Sequence, residues 1–130
     1  MKTKKGFTML EIMIAIVVMA GLVIIFFLQK NNIDAMQRDE KRKIAINAMY
    51  YALEEGYYDQ NASYPENIKD TKVLPWIDPN LFTDPNGINL WVKDSDYSYQ
   101  PTGCEDGRCK GYTLKATMEK EDDYIKASRH

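Results

Sequence analysis

A chain of 130 residues with a formal net charge of −2 has room for one small domain beside a membrane-length segment, and offers no broad basic face for nucleic acid. Its one histidine is the last residue, His130, and it has two cysteines, so no Ser–His–acid triad or four-ligand zinc site can be assembled. With no glycine-rich phosphate loop either, the sequence reads as a structural or binding protein and not as an enzyme.

The N-terminal stretch organises the rest. Lys2, Lys4 and Lys5 precede an apolar run from Phe7 to Leu28, 22 positions. A helix needs ~20 mostly apolar residues to cross a bilayer core. Lysines on one side only keep the N-terminus cytoplasmic and send the remainder outward. Glu11 stands inside the run, where a carboxylate costs roughly 2.5–3.5 kcal/mol on insertion scales and usually marks function.

Lys4-Lys5-Gly6-Phe7-Thr8-Met9-Leu10-Glu11 resembles the class III signal of type IV pilins and pseudopilins. The resemblance implies that residues 1–6 are a leader removed by a prepilin peptidase between Gly6 and Phe7, and that Phe7 is then N-methylated. It also implies that Glu11 and the Phe7 amine of a neighbouring subunit meet during assembly. An ordinary secretory signal is cut after its apolar region instead. Val18-Met19-Ala20 loosely fits such a site, but the apolar residues Leu22 to Leu28 follow it. An uncleaved anchor is the plain alternative.

No proline precedes Pro65, so helix is expected to continue to Asp59, with Gly21 and Asn31-Asn32 as weak points. Residues 7–28 form its transmembrane and assembly half and 29–59 its amphipathic half. Arg38-Asp39-Glu40-Lys41-Arg42-Lys43 is almost wholly charged. It reads either as a solvated face with an Asp39–Lys43 pair or as a charge pattern that registers subunits in a filament. Beyond it, Ile46, Met49, Tyr50, Leu53 and Tyr57 share one stripe, while Ile44, Ala45, Ala48, Tyr51 and Ala52 lie roughly opposite. Lys43, Asn47 and Glu54 fall between them. One face is expected to carry the chain's own sheet and the other, as in pilins, to meet neighbouring helices.

Ala52-Leu53-Glu54-Glu55-Gly56-Tyr57-Tyr58 through Tyr64-Pro65 is similar to the end of the long helix in many pilins and pseudopilins. Asn61, Ser63 and Pro65 are stop and loop signals. Asn61-Ala62-Ser63 also matches a glycosylation sequon, a pattern too short to carry weight. Glu66 to Ile88 is a connector, with Trp76, Ile77, Leu81 and Phe82 expected to pin it down. Its Asp84-Pro85-Asn86-Gly87 is similar to a pseudopilin turn where acids hold calcium. Asp84, Asp94 and Asp96 are the candidate ligands, although the same residues make a good turn without metal. No other cofactor is implied.

Strand-like runs follow at Asn89–Lys93, Tyr97–Gln100 and Gly111–Glu119, with Tyr124-Ile125 as a short edge. The last long run alternates, Tyr112, Leu114, Ala116 and Met118 on one face, as a half-buried antiparallel strand should. Cys104 and Cys109 are a metal half-site lacking further ligands, or a disulfide closing a hairpin, and the segment around them resembles the cysteine hairpin of small bacterial type IV pilins. Residues 60–130 are thus a loop plus an antiparallel sheet, and the resemblance implies an α+β pilin lollipop.

From Ile44 onward there are 15 acidic and 9 basic side chains, and loss of the three leader lysines would take the net charge from −2 to −5. DNA binding is not indicated by charge. The expected function is a type IV pilus subunit, polymerised through its N-terminal helix for adhesion, twitching motility or DNA uptake. The resemblance implies as partners further copies of the chain, the prepilin peptidase, a membrane platform protein and assembly and retraction ATPases. The subunit pool would sit in the cytoplasmic membrane, with the head outside the cytoplasm, and the filament outside the cell. A pseudopilin of a secretion or competence system is the close alternative. A membrane-anchored binding module that never polymerises is the third.

Overall fold

A computed structural model describes residues Gly6–His130; Lys2, Lys4 and Lys5 of the expected leader lie outside the described residues. The chain divides into two compact units with the boundary between Ala35 and Met36. The fold is α+β: a long N-terminal helix is followed by a small antiparallel sheet of four strands.

Helix α1 runs Met9–Tyr51 and opens in the first unit. Its residues there are Ile, Val, Leu, Met, Phe and Ala with few interruptions, and Gly21, Asn31 and Asn32 are all helical. Every residue from Gly6 to Ile33 is exposed. The helix is long and apolar enough to cross a membrane. So continuous a band of exposed apolar side chains requires lipid or protein to cover it.

In the second unit α1 passes into a single π-helical segment, Ala52–Tyr57, and then α2, Tyr58–Asn61. The helix ends at Ala62, which takes a left-handed conformation (φ 49°) and donates its N–H to the Tyr58 carbonyl. The departure from regular α-helix is therefore at its far end, while Gly21 and the asparagine pair are helical. Strands β1 (Tyr64–Pro65), β2 (Tyr97–Glu105), β3 (Arg108–Ala116) and β4 (Tyr124–Ala127) follow. β3 is the common partner: β2 pairs along it, β1 at its first two residues and β4 at its second half, all antiparallel.

One helix stripe builds the core. Ile46, Met49 and Leu53 are fully buried with Tyr64, Tyr112, Leu114 and Ala116. Each such aliphatic side chain contributes about 1.5–3 kcal/mol on burial. The alternation expected for the third run holds, since Tyr112, Leu114, Ala116 and Met118 are the inward residues. On the opposite helix stripe Ala45 is buried and Ala48 and Ala52 are half-buried. Ile44 and Tyr51 remain half exposed, at 53% and 51%.

One expectation needs correction. Asn89–Lys93 is not a strand: Asn89 forms only an isolated bridge to Thr83, and turns then close between Val92 and Asn89 and between Ser95 and Val92. Trp91 and Val92 consequently stay exposed instead of alternating. In the connector, Ile77 and Phe82 are buried and Leu81 half-buried as expected, and Trp76, though 55% exposed, lays its ring against the helix at Gly56. Ile68 and Leu74 are buried with them.

Candidate functional site

Gly6 to Thr8 are outside the helix, and α1 begins at Met9. Thr8 caps the helix. Its Oγ1 accepts from the Glu11 N–H at 3.3 Å, and its carbonyl accepts from the Ile12 N–H at 3.2 Å. Thr8-Met9-Leu10-Glu11 has the spacing of a capping box, and Phe7 and Ile12 occupy the positions of a hydrophobic staple. This signal was present in the sequence and overlooked beside the membrane reading. It gives Glu11 a local reason to exist, since an acid in the first turn also suits the helix dipole. That local role leaves the carboxylate itself unused. Among the described residues, no side chain pairs with it or bonds to it. Phe7 is 77% exposed, and with Glu11, Ile12 and Ile16 it lines a shallow apolar groove.

Residues 1–26 match the family model of the prokaryotic N-terminal methylation motif. This is the motif that opens type IV pilin and pseudopilin precursors, and it contains Gly6, Phe7 and Glu11. The match covers the N-terminal segment alone. No curated protein and no solved structure matches the chain significantly. The methylation motif thus assigns the type of N-terminus, a structural-subunit signature and not an enzymatic one, while the head must be read from its own residues.

In the head, Cys104 and Cys109 form a disulfide across opposite positions of β2 and β3. The two-residue turn between the strands, Asp106-Gly107, has positive φ at both positions (50° and 77°), as the tightest hairpin turns require. The metal half-site reading of this pair falls, because both thiols are consumed in the bond.

Of the three acids considered for calcium, Asp84 and Asp96 are neighbours whose carboxylates are engaged by donors of the chain. Asp84 is buried, and its carboxylate accepts the N–H groups of Asn86, Ile88 and Asp96, each within 3.0 Å. Asp96 Oδ2 accepts from both Arg42 and the Asn86 amide. Asp94 is exposed and joins neither. Among the described residues, no group of three or more His, Cys, Asp or Glu side chains is arranged to hold a metal ion. The Asp-Pro-Asn-Gly turn is held by its own hydrogen bonds.

The charged run at 38–43 is split: Asp39 and Arg42 turn inward, while Glu40 and Lys41 stay on a solvated face and the expected Asp39–Lys43 pair does not form. Arg42 is 1% exposed and fully surrounded: Nη1 reaches Asp39 at 2.8 Å and Glu119 at 2.9 Å, and Nη2 reaches Asp96 at 2.7 Å. Asp39, also buried, accepts the backbone N–H groups of Glu119 and Lys120, both at 2.9 Å. Arg38 makes a two-pronged contact with Glu119, and Lys43 pairs with Glu121 instead of Asp39. The run therefore clamps the helix to the loop after β3 and to the turn before β2.

These contacts set the protonation of the acids. Burial alone would raise the Asp39 carboxyl, but the Glu119 and Lys120 N–H groups and the Arg42 guanidinium outweigh it and hold the carboxyl below its ordinary value. Hydrogen bonds from Arg38, then Arg42, pull Glu119 down to about 2.

A third buried acid, Glu54, lies where the sequence reading does not place it. The π turn brings Leu53 and Glu54 inward together, so Glu54 leaves the flank between the stripes and is 3% exposed. Its carboxylate accepts from the hydroxyls of Tyr64 (3.0 Å) and Tyr112 (2.9 Å) and from the Arg129 N–H (3.1 Å). One side chain thereby joins the helix to β1, β3 and the residues after β4. Burial, then the bond to Glu54, raises both tyrosine hydroxyls well above the ordinary range, so they stay protonated as donors.

Proposed function

We propose that this protein is the structural subunit of a type IV pilus, polymerising through its N-terminal helix into a surface filament. The observation that carries the reading is the methylation motif, which runs into a helix whose first part is apolar and exposed and whose Glu11 carboxylate has no partner among the described residues. Cleavage between Gly6 and Phe7 would remove the leader and create a positive amine at Phe7. Within the bilayer an unpaired Glu11 carboxylate is costly. Set against the Phe7 amine of a neighbouring copy, it exchanges that state for an ion pair in a low-dielectric setting. The head would stay outside the cytoplasm, and the membrane would hold the subunit pool before assembly. The prepilin peptidase, a platform protein and the assembly ATPases are the partners this reading requires.

The self-contained charge clamp and the disulfide-closed hairpin favour a subunit whose head is durable outside the cell. A pseudopilin of a secretion or competence machine shares the same N-terminus. Electron microscopy of sheared cell surfaces separates the two, because long fibres containing this chain are expected for the pilus. Mass spectrometry of the membrane and filament forms should find a chain beginning at methylated Phe7. An intact Met1 or a start at Gly21 would overturn the processing.

A further inference from the structure

Trp76 is the largest side chain that the head leaves open. Its ring lies on the π segment where Gly56 has no side chain: a Cβ there would meet the ring's Cε3 at 2.8 Å and Cζ3 at 2.9 Å. Glycine thus seats one face of the indole against the helix backbone, while 55% of the residue remains exposed. Trp91, the other tryptophan, is less exposed and packs on Phe82 with ring centroids 5.9 Å apart.

On one side of Trp76 lies a groove of about 450 Å³ that also takes in Tyr57, Gln60, Glu66, Asn67 and Lys72. That size falls within the range of about 300–1,000 Å³ common for small-molecule clefts. Its rim is rich in hydrogen-bonding groups that the fold does not use. Among the described residues, the side chains of Gln60, Glu66 and Lys72 make no hydrogen bond or ion pair within the chain, nor does the Tyr57 hydroxyl. Elsewhere in the head, Asp39, Glu54 and Asp84 are all satisfied internally.

We propose that this groove is a saccharide-binding site, with Trp76 as the stacking platform for a neutral pyranose ring. A sugar ring offers an apolar face of C–H groups to a flat aromatic and an equatorial fringe of hydroxyls that both donate and accept. A fixed indole with amide, carboxylate and ammonium groups along its edge matches both halves. One acid and one base leave the rim without net charge, which favours a neutral polyol over an anionic or cationic peptide. An apolar segment of a second copy would leave those polar groups unpaired on docking, at a cost. The site lies wholly in the second unit and does not depend on the filament reading.

The test uses the full chain in a detergent without a sugar headgroup, ¹⁵N-labelled, titrated separately with cellobiose, lactose and di-N-acetylchitobiose. The Trp76 indole N–H and the Gln60 side-chain amide should shift saturably with at least one of the three, while the Trp91 indole stays in place. Gln60→Ala, which leaves the indole seated, should weaken that response, and Trp76→Ala should abolish the Gln60 shift while the spectrum of the head remains that of a folded domain. Absence of a saturable shift with all three sugars would overturn the proposal. So would equal movement of both indoles, or an unchanged response in Gln60→Ala. Burial of Trp76 on polymerisation, read as protection from acrylamide quenching that sugar does not compete with, would give the groove to a second copy instead.

Discussion

Residues 6–35 and residues 36–130 handle the same material, a helix with acids in it, in opposite ways. In the first unit every side chain up to Ile33 is exposed, and the one acid of the apolar run, Glu11, finds no partner among the described residues. In the second, Asp39, Glu54 and Asp84 are buried, and each accepts three donors from within the chain, Glu54 and Asp39 drawing on residues after β3 or β4 and Asp84 on its own turn and the Asp96 N–H. A soluble domain must satisfy its buried charges internally. A segment that leaves both its apolar surface and its charge unsatisfied is built to be completed from outside. On the proposed reading, the first unit would carry assembly and the second the stability of the head.

The sharpest way to break this division is to disturb the clamp. Removing Arg42 leaves Asp39 buried without its guanidinium and loosens Asp96 and Glu119 together. Loss of one partner from a buried ion pair typically costs about 3–5 kcal/mol. Arg42→Ala should lower the melting temperature of the head by on the order of 12 °C or more, while cleavage after Gly6 proceeds normally. A near-unchanged melt by near-ultraviolet dichroism would mean that the clamp is decoration.

Glu54→Gln is the next test. The amide retains one oxygen for the Tyr64 and Tyr112 hydroxyls and the Arg129 N–H, so buried donors compete for it. A loss of about 1–3 kcal/mol is expected, the cost of leaving a buried donor unsatisfied. Denaturant titration should register it with the slope unchanged.

The smallest effect is that of acid. Glu119 has a folded value near 2 against an ordinary 4.5, and Asp39 is also held below its ordinary 3.8. Groups lowered on folding contribute stability that is fully present above the unfolded pKa and is lost as pH falls toward the folded one. The head should therefore melt at constant temperature from neutral pH to about 4.5, and progressively lower between there and about 2. A melt independent of pH over that acid window would contradict the clamp's charge pattern.

How far the sequence alone carries depends on the distance between partners. Ile46, Met49 and Leu53 declare their face through helical spacing, and Tyr112, Leu114 and Ala116 through strand alternation, because both patterns are local. The pair Cys104 and Cys109, five residues apart, likewise points to its hairpin. Arg42 meets Asp96 and Glu119 across separations of 54 and 77 residues, and no local pattern forecasts such meetings. Glu54 is harder still. Its inward position depends on a π turn, which regular helical spacing cannot represent, and on hydroxyls from two strands. At the N-terminus the reverse holds: Thr8 and Glu11 have a plain local signature that the apolar run obscured.

The central claim is that Glu11 is left open for a neighbouring copy, and its charge is the part to remove. Glu11→Gln keeps the length of the side chain and the Thr8 cap, which bonds to the backbone N–H and not to the carboxylate. The measurement is the yield of sheared filaments from cells expressing only Glu11→Gln, normalised to the cleaved pool in the membrane. The account predicts normal insertion, cleavage after Gly6 and a filament yield reduced to near background. A wild-type yield would contradict it and leave Glu11 with no more than a first-turn acid's interaction with the helix dipole.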